Sequence, residues 1–446
     1  MIAGYSNRVK RRELTSAYPT AHSGKKIKGR TVPRTKPREH HNQRLCVESV
    51  SYHGGVVIPY GRHDVDAKDI DAVIDVLSSE YLTQGPVVRK FEEAVSRRVG
   101  ATFGVVSNSA TSSLHLACLA LGVGPGDFVW TSAITFVASA NCAVYCGARV
   151  DFVDIDPETW NMSPTALREK LEVARRAGGL PKVVIPVHLG GSPCAMAEIS
   201  MLAREYGFRV VEDASHALGA VSAGHAVGSC EYSDITVFSF HPVKMMTTAE
   251  GGMATTNDEA LYSSMVRLRS HGITRAPEEM QRAAEGPWYY EQLDLGFNYR
   301  MPDLFAALGM SQLRRLDQFL GERQRLHQLY VERLGKEIVR FQKIREDDRS
   351  SRHLEIVTPD YQTLGTNQRE LFERLRSRGI LVNLHYIPVY RHPFHADRLV
   401  AEPSCPHAED YYRSAVTLPL YSGLTESEVD VVCRALAEPL GHQSIF

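Results

Sequence analysis

Long apolar runs are absent from this 446-residue chain. None reaches the roughly 18 residues that a membrane-spanning helix requires, so no span is expected. Net charge is nearly absent too. The 51 Lys and Arg are offset by 52 Asp and Glu, and a formal charge of -1 gives the whole molecule no field for nucleic acid or a membrane surface. Cysteine is sparse, with eight residues at positions 46, 118, 142, 146, 194, 230, 405 and 433. Most sit among apolar or small neighbours, as Cys118 does in LHLACLA, which predicts buried, reduced thiols in a cytoplasmic protein. Cys142 and Cys146 have neither a second pair nor a nearby His to complete a zinc site, so no metal is expected.

Large apolar residues are also scarce in residues 1–50, where twelve Lys and Arg stand against three acids for a local net charge of +9. Such a segment cannot offset the entropy of ordering its backbone. It also lacks the apolar stretch of a secretory signal. Residues 1–55 are therefore expected to be a disordered basic extension, or to be read from a start upstream of the true one. An arm for an acidic partner is the sharper alternative.

What is present is ordinary for a globular protein, and the length suggests two packed domains plus extras. The folding pattern begins near Val56. Asp66 can cap a helix whose apolar positions Ile70, Val73, Ile74 and Leu77 follow helical spacing. Residues 79–86 read as a loop, and a second helix through Phe91, Ala94 and Val95 closes at Gly100. Strands are predicted at Phe103–Ser107, Phe128–Thr131, Arg149–Val153, Val183–Val187, Phe208–Glu212, Ile235–Ser239 and Met253–Thr255. Helical stretches such as Thr111–Leu121 and Ala195–Tyr206 lie between most of them. That alternation predicts an α/β domain over 56–300, with a mainly parallel sheet covered by helices on both faces. After Arg300 the pattern changes. A long helical stretch runs from Leu304 toward Leu334, followed by extended runs at Leu354–Val357 and Ile380–Leu384. Helices follow at Gln368–Arg378 and Thr425–Leu436, the second opened by a capping box from Thr425 to Glu428. Residues 301–446 read as a smaller α+β domain.

In parallel sheets ligands collect at the carboxyl ends of strands, and four strand ends carry chemistry. In VVSNSATSSLHLA a strand opens directly into a helix, whose free N–H groups and dipole suit an anion at Ala110 and Thr111, or merely mark a Ser/Thr cap. In RVVEDASHALGA, Asp213 ends an apolar strand, where a carboxylate is costly unless paired. A cationic pyridinium nitrogen would suit it, as would a helix N-terminus, and His216 could reach a ring oxygen. In ITVFSFHPVKMMTTAEGG, Lys244 follows Ser239 by five residues. An apolar site would depress its pKa and make it a nucleophilic amine for a Schiff base, whereas the plainer reading is a surface Lys. In TSAITFVASAN, Phe136 could stack on a flat ring or simply fill core. Anion turn, aromatic, carboxylate and lysine together are what a phosphorylated, cationic aromatic aldehyde needs.

At these residues the chain resembles the DegT/StrS family of nucleotide-sugar aminotransferases, from about Pro59 to about Leu440. The motifs that carry the likeness are NSATSSLHLACLALG, VEDASHALGA, SFHPVKMMTTAEGG and NYRMPDLFAALGMSQLRRLDQF. The resemblance implies the type I fold of pyridoxal-phosphate-dependent transferases, aspartate-aminotransferase-like, with 56–300 as the cofactor-binding domain. It implies that Lys244 links covalently to pyridoxal 5'-phosphate and moves protons. Asp213 would pair with the ring nitrogen, and Phe136, His216, Ala110, Thr111 and Ser239 would surround the cofactor. Asn298 would reach the phosphate of a neighbouring subunit in a homodimer with shared sites. Substrate would touch Tyr60, Glu80, Tyr81, Leu82, Thr83, Ala110, Ser239, Asn298, His385, Tyr386, Ile387 and Pro388.

More narrowly, IPYGRHDV, EYLTQGP, HGITR, PWYYEQLDLGFNYR and VNLHYIPVY resemble the branch that moves the amino group of L-glutamate to C4 of a UDP-linked 4-keto-6-deoxy-N-acetylhexosamine in the pseudaminic acid pathway. Sister reactions on GDP- or dTDP-linked sugars are the alternative. A cofactor-sensing, DNA-binding regulator is the remote one, because residues 1–57 show no two-helix apolar pattern.

Overall fold

The computed structural model describes residues 57–399, 401 and 403–438. The basic extension predicted for residues 1–55 lies outside them. Two helices, α1 (Ala67–Leu77) and α2 (Pro86–Val99), precede a sheet of seven strands. These are β1 (Phe103–Ser107), β2 (Phe128–Ser132), β3 (Arg149–Val153), β4 (Val183–Ile185), β5 (Arg209–Asp213), β6 (Ile235–Ser239) and β7 (Gly252–Thr256). They are the seven expected from the sequence, with ends displaced by no more than two residues. Their order across the sheet is β1-β7-β6-β5-β4-β2-β3. β7 runs antiparallel to both its neighbours, and every other pair is parallel.

Successive residues of each strand feed opposite cores. Val129, Val183, Ile185 and Val211 pack on one face, while Trp130, Val184 and Val210 pack on the other. That is why the strands read as continuous apolar runs rather than as alternation. The first face is covered by α3 (Ala110–Ala120), α4 (Ala138–Tyr145) and α7 (Glu259–Arg269), the second by α5 (Pro164–Ala177) and α6 (Met196–Tyr206). The fold is that of the type I pyridoxal-phosphate-dependent transferases.

α1 starts as expected, with Asp66 and Asp69 forming a capping box. Its buried side, Asp69 and Val76 with Val73 half-buried, is not the one that Ile70, Ile74 and Leu77 form. Ile70, Ile74 and Leu77 are 44%, 51% and 57% exposed, whereas Asp69 is fully buried. The Asp69 carboxylate accepts from Gln312 Nε2 at 2.6 Å and from Arg315 Nη2 at 2.9 Å. With the Asp66 N–H of the capping box these make three donors, one of them charged, and a buried carboxylate becomes tolerable. The periodicity of α1 is therefore helical but says nothing about which face is covered.

The single long helix expected from Leu304 toward Leu334 is broken at Arg314–Arg315 into α8 (Asp303–Leu313) and α9 (Leu316–Leu334). α9 and the helices Gln368–Ser377 and Glu426–Ala437 share a core with a three-stranded antiparallel sheet of Val339–Phe341, Glu355–Pro359 and Val416–Leu418. The capping box at Thr425 and Glu428 is present. The short strand Ile58–Pro59 belongs with this later part of the chain, pairing in parallel with Ile380–Leu381. The Leu420 N–H donates to the Tyr60 carbonyl at 3.0 Å, so the C-terminal part carries Tyr60. No helix among the described residues is long and apolar enough to cross a membrane.

Candidate active site

β5 ends on Asp213, β6 ends on Ser239, and the turn after β1 opens α3. Parallel strands deliver such ends to one edge of the sheet. There, with Tyr60 and the segment 383–386, they enclose a cavity of about 410 Å³. Ten residues singled out in the sequence line it together: Tyr60, Ala110, Thr111, Phe136, Asp213, His216, Ser239, Lys244, His385 and Tyr386.

Lys244 sits mostly out of solvent on the loop after β6. Burial disfavours its ammonium form and brings the amine from 10.5 down to about 8, with the Asp213 carboxylate pulling the other way. The amine thus keeps an appreciable neutral, nucleophilic fraction near neutral pH. Asp213 is 5% exposed. Its Oδ1 accepts the Ser215 N–H at 3.1 Å, and its Oδ2 accepts the Ser139 hydroxyl at 2.6 Å.

The anion turn is built from backbone. Ser109 caps α3, its side chain taking the Ser112 N–H and its carbonyl the Ser113 N–H. The N–H groups of Ala110 and Thr111 are left without an intrahelical acceptor at the positive end of the helix. The chain has to be thin beside them. A Cβ at Gly252 would meet Ala110 N at 2.3 Å, so only glycine lets β7 start against this turn.

Imidazoles form another wall. The His216 Nδ1 accepts the Gly190 N–H at 3.3 Å, which leaves Nε2 as the donor to the Tyr386 hydroxyl at 3.1 Å. Burial, helped by the Lys244 charge, drives the His216 pKa well below its usual 6.5. His385 is lowered to about 3 by burial first and by Lys244 second. The wall is therefore neutral, which suits a site that must keep one lysine partly unprotonated.

These features fit pyridoxal phosphate. Two free N–H groups and the Ser239 hydroxyl suit its phosphate, a buried carboxylate suits its ring nitrogen, and a desolvated amine suits its aldehyde. Phe136, 57% exposed and 6.1 Å from Tyr386 between ring centroids, offers an uncovered aromatic face at the cavity.

Several expected residues lie elsewhere. Glu80, Tyr81, Leu82 and Thr83 do not line the cavity. Their exposed loop is tied to the start of α8 instead, with the Asp303 N–H on the Leu82 carbonyl at 3.0 Å and the Gly85 N–H on the Asp303 carboxylate at 2.8 Å. Asn298 is exposed and bridges to Ser270, away from the cavity of its own chain. Ile387 and Pro388 also stand outside, because after Tyr386 the chain turns away to place the Val389 N–H on the Ala133 carbonyl at 3.1 Å.

The sequence reading missed two residues. Ser139, wholly buried, holds Asp213, and its one hint was the Thr135–Ser139 spacing of one helical turn. His353 is 3% exposed, lines the cavity, lies tilted against His216 with ring centroids 4.6 Å apart, and has an Nδ1 without a partner. Nothing in the run SSRHLEIV marks it as anything but the approach to a strand.

Known proteins bear on this geometry directly. Residues 63–437 match the profile of the DegT/DnrJ/EryC1/StrS aminotransferase family. The UDP-4-amino-4,6-dideoxy-N-acetyl-beta-L-altrosamine transaminase of Campylobacter jejuni subsp. jejuni serotype O:23/36 is 36% identical over 379 residues, 84% of this chain and 96% of that protein. The spore coat polysaccharide biosynthesis protein SpsC of Bacillus subtilis is 36% identical over 386 residues, 85% of this chain and 96% of that one. Among solved structures, Helicobacter pylori PseC, an aminotransferase involved in the biosynthesis of pseudoaminic acid, superposes with a TM-score of 0.77 at 29% identity, covering 85% of this chain and 98% of its own.

Proposed function

Because the chain belongs to the DegT/DnrJ/EryC1/StrS aminotransferase family, whose members use pyridoxal phosphate, we propose that it moves the amino group of L-glutamate to the C4 ketone of a UDP-linked 4-keto-6-deoxy-N-acetylhexosamine. The products would be 2-oxoglutarate and UDP-4-amino-4,6-dideoxy-N-acetyl-beta-L-altrosamine. The carrying observation is the convergence of Lys244, Asp213 and the open turn of α3 on one cavity. The choice of sugar is supported by the Campylobacter relative, a transaminase named for this amino sugar, and by PseC, an aminotransferase involved in pseudoaminic acid biosynthesis.

Bound pyridoxal phosphate supplies an aldehyde that takes up the amine and a ring that draws electrons away from the reacting carbon. This chain's residues do the rest. The Lys244 Nζ holds the cofactor in the resting enzyme and then carries the proton between the substrate carbon and the cofactor, as base in one direction and acid in the other. Asp213 keeps the ring nitrogen cationic. Ala110, Thr111 and Ser239 bind phosphate, and Phe136 covers a ring face. The test is a product assay with the UDP-linked 4-keto sugar and glutamate, read as 2-oxoglutarate and amino sugar by mass spectrometry. A GDP- or dTDP-linked 4-keto sugar turned over much faster would make the chain a sister transaminase. No turnover of any 4-keto sugar would reject the reading.

We further read the chain as a homodimer. Asn298 lies outside its own cavity, and Ile70, Ile74, Leu77, Trp288 and Leu295, the last 81% exposed, leave large apolar side chains in water. Covering these is what a second copy would do, and it would bring Asn298 to the partner's site. Light scattering at micromolar concentration should give the mass of two chains. A monomer that retains full turnover would refute shared sites.

A further inference from the structure

The loop before α4 and the first turn of that helix hold three side chains that meet the proposed cofactor site in different ways. Phe136 faces the cavity. Thr135 and Ser139, 2% and 0% exposed, are one helical turn apart, with their hydroxyl oxygens 2.8 Å from each other. Ser139 then reaches Asp213 Oδ2 at 2.6 Å. The carboxylate can only accept, so Ser139 donates to it, and Thr135 in turn donates to Ser139. The polarity of the chain of hydroxyls is fixed from its end. A serine early in a helix usually spends its hydroxyl on a nearby backbone group. Here it is spent on a residue 74 positions away, on another element of the sheet.

We propose that Ser139, backed by Thr135, is a positioning residue for Asp213. It sets the plane of the carboxylate and occupies one of its two oxygens. This rests on the reading that Asp213 faces a pyridinium nitrogen. The Ser215 N–H fixes Oδ1 at 3.1 Å, and Ser139 fixes Oδ2, so the carboxylate cannot rotate. The carboxylate held in this way lines the cavity that Phe136 also lines. Ring face and ring nitrogen are thereby registered by one five-residue stretch, 135–139. A hydroxyl donated to the carboxylate also makes it a weaker acceptor for the ring proton. Without it, that proton shifts toward Asp213 and the ring withdraws electrons less.

The experiment is a spectroscopic titration of the loaded full-length protein and its Ser139→Ala, Ser139→Thr and Thr135→Val variants, with cofactor release measured alongside. Ser139→Ala should release cofactor about tenfold faster, a loss of the size expected for a hydrogen bond to a charged group. It should also raise the pH midpoint of the bound cofactor's visible absorbance by about half a unit or more. kcat should fall more than KM changes. Thr135→Val should shift the midpoint in the same direction by less, and Ser139→Thr, which keeps the hydroxyl, should restore it. A Ser139→Ala protein with unchanged midpoint and release rate overturns the proposal. If that variant does not fold, an unshifted Thr135→Val overturns it instead. A wild-type protein that takes up no cofactor rejects the underlying reading, and that result is distinct from either.

Discussion

Replacing Lys244 with alanine should remove turnover by at least about 10⁴-fold, because one side chain holds the cofactor and moves the proton in both halves of the reaction. It should also abolish the visible absorbance of the covalently held cofactor while leaving the circular dichroism intact. The structure gives the reason for expecting a clean effect. The Nζ makes no ion pair among the described residues, so its loss strands no carboxylate partner, and truncation removes a buried amine that costs desolvation. Lys244→Arg should fail nearly as badly, since it keeps charge and bulk but offers no neutral amine. The same amine sets a pH dependence. Its folded pKa is depressed to about 8, so the neutral fraction grows as pH rises and saturates above that value. Uptake of pyridoxal phosphate by the cofactor-free chain should quicken about tenfold per pH unit below pH ~7 and level off above about 8, whereas an ordinary lysine would keep accelerating past 10. Stopped-flow absorbance reads this directly. Turnover retained in Lys244→Ala, or uptake still rising at pH 10, would mean that another group does the work.

How much of this was legible depends on what each feature needs in order to be seen. The seven-stranded sheet was, because strands buried on both faces must be apolar throughout, and Val183–Ile185 or Ile235–Phe238 admit little else. Lys244 and Asp213 were legible for a related reason. Asp213 ends such a run, where function or a cap explains the cost, while Lys244, five residues beyond Ser239, reads equally as a surface lysine until the other strand ends are set beside it. α1 shows the limit. Its apolar positions Ile70, Val73, Ile74 and Leu77 give the helix but not its orientation: of the four only Val73 turns partly inward, because Asp69 finds Gln312 and Arg315 from α8 and just beyond it, more than 240 residues later. The helix break at Arg314–Arg315 carries neither Gly nor Pro, so the pattern from Leu304 to Leu334 reads as continuous. Ser139 and His353 lie beyond local reading altogether. A serine's partner across the sheet and a histidine's unpaired nitrogen are facts of tertiary geometry. The loop at 80–83 fails in the opposite way. Its residues look like substrate contacts by family likeness, but the Asp303 carboxylate anchors the loop at Gly85 and Val87, outside the cavity of its own chain.

Asp213→Asn should cost about a hundred- to a thousand-fold in kcat, in the range found when one preorganised electrostatic partner of a reacting system is removed. The substitution is close to isosteric, and the native contacts explain why the fold should survive it. The amide oxygen can still accept the Ser215 N–H, and the amide nitrogen can donate to Ser139, whose hydroxyl then turns to another acceptor. Only the negative charge facing the cavity is lost. On the proposed reading that charge keeps the ring nitrogen protonated, and without it the ring draws electrons from the substrate carbon far less. The defect should therefore fall on kcat, with KM for glutamate and for the nucleotide sugar changed little, because neither substrate needs to touch residue 213. Cofactor should bind more weakly as well, but saturating pyridoxal phosphate should not rescue kcat. That separation distinguishes the assignment from a plain structural role. If Asp213 were only an acceptor at the head of the segment after β5, the Ser215 N–H and the Ser139 hydroxyl would be all it serves, Asn would replace it nearly as well, and excess cofactor would restore the rate. Full recovery of kcat in Asp213→Asn at saturating cofactor would leave the ring nitrogen without its partner, and the proposed mechanism without its electron sink.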